Sequence, residues 1–368
     1  MPLPPPTPRP PPKRASSSKP SRAHTMRLAT FLRFTAPSAV LMLLLLALPL
    51  AVTFYLSVRN CTLQMETVTV TETSPFGSKE VVTQRAVMGP DGRPITLCRF
   101  VGLDYFRAVL GLGGQADASG GPPPDAAGGA GGAAADASSR STEFLGALRF
   151  TLLYTLATTP FVLLLGFLLA LGVNQLGQRW RGPFIAGSLL PFIITPVVGA
   201  LAIKWLFRDN GLVPYLLSQV GISVFWMAQA WSARLLIILY GIWHVAPFAF
   251  IVLYAGLQSV PQDSLEAARI DGANAWQRLR YVTIPHLAPL FVFITLIHLM
   301  DAYRVFEPVV VLTQGAFTTS VQYLTYYILL QEHNPYKASA AAVLTTAGIA
   351  VLLVPLLVRT WKEQRRGA

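Results

Sequence analysis

Residues 256–285 read GLQSVPQDSLEAARIDGANAWQRLRYVTIP, and they separate two long apolar stretches, 234–257 and 288–312. Taken alone, this segment predicts a helix, a glycine break and a second helix. Asp263 or Ser264 is placed to cap the first helix, and Leu265, Ala268 and Ile270 give it a partly apolar side. Gly272 permits a sharp turn that a β-carbon would hinder. Asp271 or Asn274 is placed to start the next helix, and Pro285 to end it. A short amphipathic hairpin between two membrane-length stretches suits docking to a soluble partner; the competing reading is a loop lying on lipid headgroups.

Outward from it, the chain is built for a bilayer. Only 12% of its 368 residues are charged and 53% are hydrophobic, against about 25% charged in a soluble domain. Mean hydropathy is +0.49. A helix needs roughly 20 apolar residues to cross, and six stretches qualify: 36–57, 148–173, 183–206, 234–257, 288–312 and 338–358. The expected class is therefore an all-α membrane protein with six transmembrane helices. The first stretch is read as a retained anchor (34–58), not a cleaved signal, because its apolar core is long and the downstream chain is itself membranous.

The net charge of +12 would mark a nucleic-acid footprint in a soluble chain. Here the basic residues flank spans, and nucleic acid is not expected as a partner. Arg27 and Arg33, Arg179 and Arg181, Arg269, Arg278 and Arg280, and the tail from Arg359 all fall on one side of a six-span layout. The opposite loops are poorer, with Arg208, Arg234 and Lys337. The positive-inside bias puts that richer side, and both termini, in the cytoplasm.

Residues 1–33 form a basic, Pro-rich tail expected to be disordered over 1–25, with Met26 as an alternative start and anionic lipid as a secondary contact. Residues 59–146 form a long external loop. Gln64 to Thr73 and Glu80 to Met88 alternate with β character, and Pro90 to Pro94 (PDGRP) is a turn signal. Cys61 and Cys98 bracket this small β insert. In an oxidising compartment they would close it with a disulfide; the alternative is two free thiols. Gly111 to Ser141 reads as a flexible Gly/Ala-rich insert. The two cysteines and five histidines show no metal-ligand spacing, so no metal site is expected.

The segment within 258–287 resembles the EAA loop of ABC-importer permeases, E-A-A-x3-G-x9-hydrophobic-x-hydrophobic-P. Glu266, Ala267, Ala268, Gly272, Val282, Ile284 and Pro285 fall in register. Phe100 to Leu110 (FVGLDYFRAVL), Trp243 to Pro247, Gly256 to Gln258 and Val311 to Gly315 are similar to segments of the carbohydrate-uptake branch, the maltose and glycerol-phosphate type. The resemblance covers residues 100–110 and 145–360, within a permease core at 147–360 that ends before the tail 361–368. It implies a permease subunit in a bacterial inner membrane, importing a sugar or sugar-like solute. The implied partners are a second permease subunit, two ATP-binding subunits and a periplasmic substrate-binding protein. It also implies that Glu266, Ala267, Ala268, Asp271, Gly272 and Pro285 form the loop that a partner ATPase grips. No GxxxxGK[ST] phosphate loop occurs, so the chain is not expected to be an enzyme or to bind a cofactor; ATP and Mg belong to the partner.

Ionisable groups at membrane depth are costly and usually face an interior. On the fifth span His298, Asp301, Arg304 or Val305, and Pro308 share a face by spacing, and on the fourth Gly241, His244, Val245 and Phe248 do so. The similar maltose system lines its cavity with these two helices, so His244, Phe248, His298 and Asp301 are the substrate-path candidates. The simpler reading is an Asp301–Arg304 pair and a histidine bonded to a neighbour. Other cargoes (amino acid, peptide, ion) fit the EAA loop as well. An exporter does not normally carry it, and an intramembrane enzyme using His298 and Asp301 lacks any nucleophile elbow or HExxH.

Overall fold

The computed structural model describes residues 28–74, 77–90, 92, 95–112 and 132–367. It divides into two compact units, residues 1–52 and 53–368. Most of the first helix, α1 (Leu28–Ser57), belongs to the former. Its stretch Thr35–Ser57 is long and apolar enough to cross a membrane, and Leu43 to Leu46 are all exposed, as a lipid-facing helix requires. The expected 1–25 tail lies outside the described residues.

The second unit begins with four strands in two antiparallel pairs. β1 (Arg59–Leu63) pairs with β4 (Thr96–Phe100), and β2 (Met65–Ser74) pairs with β3 (Gly77–Ala86). The alternating stretches thus form the β2–β3 hairpin, with Met65 opposite Ala86. Cys61 is the register partner of Cys98, and the two are joined by a disulfide. Gln64 N–H donates to the Ile95 carbonyl and Ile95 N–H to the Val87 carbonyl, linking the two pairs. Most of the PDGRP turn lies outside the described residues.

A short helix α2 (Asp104–Leu110) follows, then α3 (Gly132–Gln175), α4 (Gln178–Ile193), α5 (Pro196–Phe207), α6 (Leu212–Gln219) and α7 (Ala230–Gln258). The chain continues through α8 (Gln262–Ile270), α9 (Ala275–Arg278), α10 (Ile284–Ala302), α11 (Val321–Leu330) and α12 (Pro335–Gly367). Single π-helical turns span Leu279–Thr283 and Val309–Thr313. Five helices are long and apolar enough to cross a membrane, or six if α4 and the α5–α6 segment count as one span bent by 94°.

α3 and α7 are the centre of the packing. They approach closely because small residues face each other. A Cβ on Gly166 would lie 2.6 Å from the Ala249 Cβ, and one on Gly241 would collide with the Tyr154 hydroxyl. This is how membrane helices gain van der Waals contact where lipid offers no hydrophobic drive. Around the pair sit a cluster with Tyr154, Leu236, Tyr240 and Val309 and another with Val162, Phe250, Leu253, Leu287 and Ile294.

Four expectations change. The predicted span 183–206 is broken at Ile194–Thr195, because Pro196 disfavours helical backbone in the residue before it. The predicted span 288–312 stops as regular helix at Ala302 and resumes as a π turn at Val309. The Gly/Ala-rich insert is helical from Gly132, where the Ala133–Ala135 run favours extending α3. Finally, the last helix runs past 358 to Gly367.

Candidate coupling loop and membrane-depth polar groups

The 256–285 segment folds as helix, glycine turn, helix. Ile270 ends α8, and the chain reverses through a Schellman motif: Ala273 N–H donates to the Ala268 carbonyl (2.9 Å) and Gly272 N–H to the Arg269 carbonyl (3.0 Å). Gly272 has φ +80°, the left-handed region that costs an L-residue roughly 1–2 kcal/mol. Asn274 then caps α9 through a reciprocal capping box with Gln277, both bonds 2.8 Å. Two of the predicted local signals act differently. The N-cap of α8 is Pro261, with no side-chain bond from Asp263 or Ser264. Pro285 does not end the second helix; it lies in the first turn of α10, directly after the π turn at Leu279–Thr283, a local adjustment of the kind that accommodates a proline in a membrane helix. α9 therefore runs through the π turn directly into the next span.

Glu266, Ala267, Asp271 and Gly272 are all exposed, as are Ile270 (86%), Trp276 (63%) and Tyr281 (71%). α8 and α9 bury no residue. The hairpin thus projects from the bundle with apolar side chains uncovered, as a docking element does. It is fastened at its base: Gln258 bonds Asn174 (2.8 Å), Arg181 donates to the Asn174 carbonyl (3.0 Å), and Ser259 bonds His286 (3.2 Å).

At membrane depth the structure separates the four path candidates. His244 and Phe248 sit on α7 beside the break between α4 and α5. The Phe192 ring lies 6.3 Å from His244 and 5.8 Å from Phe248, and Tyr240 stacks on His244 at 5.6 Å. Tyr240 also donates to the Pro196 carbonyl (2.6 Å), pinning the corner. Non-helical backbone at this depth is tolerated only when buried in protein or lining a cavity. Asp301 is exposed at the end of α10, within electrostatic reach of His244, Arg304 and Glu307. His298 stands apart. It is 2% exposed and its Nε2 lies 3.0 Å from the Thr158 hydroxyl on α3, inside the helix–helix contact. Among the described residues no ion pair joins Asp301 to Arg304, and with α10 ending at Ala302 the face predicted to continue to Pro308 does not exist.

Residues 128–366 match the family model of the binding-protein-dependent transport system inner membrane component. The chain belongs to this family. It is 28% identical over 346 residues to a probable ABC transporter permease protein, y4oQ, of Sinorhizobium fredii, covering 93% of each chain. It is 32% identical over 201 residues to the trehalose/maltose transport system permease protein MalF of Thermococcus litoralis, covering 53% of this chain and 67% of that one. Among solved structures, a bacterial ABC transporter involved in the import of the acidic polysaccharide alginate superposes with TM-score 0.55 at 27% identity, covering 61% of this chain and 79% of that chain.

Two features of this permease escaped the sequence reading. Lys204 lies within the broken third span and donates to the Val311 carbonyl (2.7 Å), at the C-terminal end of the Val309–Thr313 turn, where exposed carbonyls favour a cation. Its charge inside an apolar stretch was the available signal. The other is the loop 314–320, where Gln314 and Phe317 adopt positive φ (52° and 61°); Gly315, at the end of the Val311–Gly315 segment, was the available signal of a turn.

Proposed function

We propose that this permease is the membrane-spanning subunit of an ATP-driven importer, translocating a sugar or sugar-like solute delivered by a periplasmic binding protein. The observation that carries the reading is the exposed helix–glycine–helix at 262–283, fixed at its base and continuous with α10. The cargo class is supported by relatives named for trehalose, maltose and lactose transport. A binding-protein partner is supported by a related alginate transporter solved with its pentasaccharide-bound periplasmic protein.

In this reading both termini and the hairpin are cytoplasmic. Two ATP-binding subunits, which use ATP and Mg, grip the hairpins of this chain and of a second permease. Glu266 makes polar contacts in the cleft, Ala267 and Ala268 let the helix approach closely, and Gly272 fixes the bend beside Asp271. Because α9 runs without a loop through Leu279–Thr283 into α10, displacement of the hairpin moves α10 directly, and with it Asp301 beside His244 and Phe248. These three residues, with the α4–α5 corner, are the proposed substrate path.

The test begins with gentle co-purification from native membranes and mass spectrometry of the associated chains. An ATPase bearing a phosphate loop and a second permease with its own EAA loop are expected. Reconstituted with the binding protein, the complex is expected to couple ATP hydrolysis to sugar uptake, and Glu266→Lys to abolish uptake while leaving the chain inserted. Purification of the chain without any ATPase, or full coupling in Glu266→Lys, would reject the assignment.

A further inference from the structure

At the ends of α3 and α7 far from the hairpin lies a half-open cavity of about 420 Å³, within the range of about 300–1,000 Å³ typical of small-molecule sites. Glu143 and Phe150 of α3, Arg234 of α7, Phe317 of the 314–320 loop, and Tyr323 and Tyr327 of α11 are among its walls. Under the proposed orientation it opens to the outside.

The wall is built, not incidental. Arg234 donates from Nε to the Phe317 carbonyl (3.1 Å), Tyr323 from its hydroxyl to the Gln314 carbonyl (2.7 Å), and Thr319 to the Gly315 carbonyl (2.8 Å). Gly315, at φ +82°, lies under the Tyr323 ring, where a Cβ would collide with it. These bonds hold Gln314 and Phe317 in backbone conformations that non-glycine residues rarely adopt, a kind of strain that clusters at ligand clamps. Phe317 itself is 51% exposed at the rim.

What the scaffold leaves uncommitted defines the ligand. The Glu143 carboxylate and the Tyr327 hydroxyl have no hydrogen-bond partner among the described residues, and Arg234 uses only Nε. One acid and one base leave the lining close to neutral. Planar charged side chains beside aromatic faces suit a ring whose hydroxyls point outward and whose C–H face is apolar, because the aromatic face attracts positively polarised edges. Phe150 also joins the cavity to the interior, its ring lying 6.4 Å from Tyr154, which is in electrostatic reach of Asp301.

We infer that this cavity is an outer subsite for a neutral sugar ring, occupied before the solute reaches His244 and Asp301. The inference rests on the sugar reading above. Gly146 offers the probe, since it lines the cavity and a Cβ there meets nothing within 4 Å. Both native cysteines of this chain are in the disulfide, so Gly146→Cys gives it a single free thiol, read on this chain's own band after labelling. The assembled complex carrying it is labelled in nanodiscs with a membrane-impermeant maleimide, with trehalose, maltose, lactose or sorbitol present, and uptake of each sugar is measured in proteoliposomes supplied with the binding protein.

A transported sugar is expected to slow labelling without any binding protein, and sorbitol to have no effect. Tyr327→Ala is expected to raise the half-protecting sugar concentration about five- to ten-fold, and Tyr327→Phe to raise it less. Unchanged labelling by a sugar that the complex does transport would overturn the subsite and leave the importer reading intact. Protection by the binding protein alone, with or without sugar, would reassign the cavity to protein docking. No uptake of these three sugars, or of any other sugar that the co-purified binding protein captures, would remove the sugar reading and the subsite with it.

Discussion

At the scale of single residues, the same chemical type takes opposite roles according to what packs against it. His298 and His244 look alike in sequence, each an imidazole in an apolar run. His298 is sealed between α10 and α3 against Thr158, whereas His244 borders the α4–α5 corner near Asp301. His298→Ala is therefore expected to lower stability by about 1–3 kcal/mol through a lost buried bond and a cavity, seen as a reduced Tm of the purified complex with uptake per folded molecule retained. Asp301→Asn is expected to do the reverse, reducing uptake with an unchanged Tm; loss of uptake in both with neither Tm moved would contradict the division. Gly272 is the other decisive residue. Valine there faces open space but must adopt φ +80°, at roughly 1–2 kcal/mol, so the hairpin will shift to a different bend. Uptake is expected to fall in Gly272→Val while basal ATP hydrolysis by the complex persists, measured as the ratio of sugar moved to phosphate released.

At the scale of elements, the long helices were legible and their interruptions were not. Hydrophobic length marks a span without reference to anything else, which is why α1, α3, α7 and α12 overlap their predicted stretches. Interruptions depend on neighbours. Pro183 and Pro191 sit inside α4 while Pro196 opens a new helix, and the same residue type at Pro285 starts α10 without a break. The end of α10 at Ala302 is stabilised from elsewhere, by Ser320 donating to the Val305 carbonyl (2.6 Å) across the following loop. The α3–α7 contact is the element-scale feature most open to test. Gly166→Val places a side chain where the Ala249 Cβ and Phe250 backbone already stand, an overpacking expected to cost about 1–3 kcal/mol. The complex should show reduced yield and a lower Tm, partly restored by adding Ala249→Gly. A Gly166→Val complex of unchanged Tm would show that the two helices do not touch there.

At the scale of the whole molecule, the family places the chain in the inner membrane, and the sidedness of its ends rests on the charge bias. Ile270→Cys, at an 86% exposed position of the hairpin, is expected to react with an impermeant maleimide only in inverted vesicles. Leu112→Cys, 75% exposed before α3, is expected to react only from the opposite face; reaction of both from one side would reverse the layout. The sequence by itself determined the solvent, the approximate spans and the hairpin. Apolar length, basic flanks, and the glycine break at Gly272 followed by Asn274 act through local backbone and bulk water, and so do not wait for a partner element. Only the tertiary structure decided that Cys61 faces Cys98, that the third span is bent beside His244, that His298 belongs to the core and that an outer cavity forms around Arg234 and Phe317. Each of these depends on which groups distant in sequence meet, through packing and hydrogen bonds that carry no periodic signature along the chain.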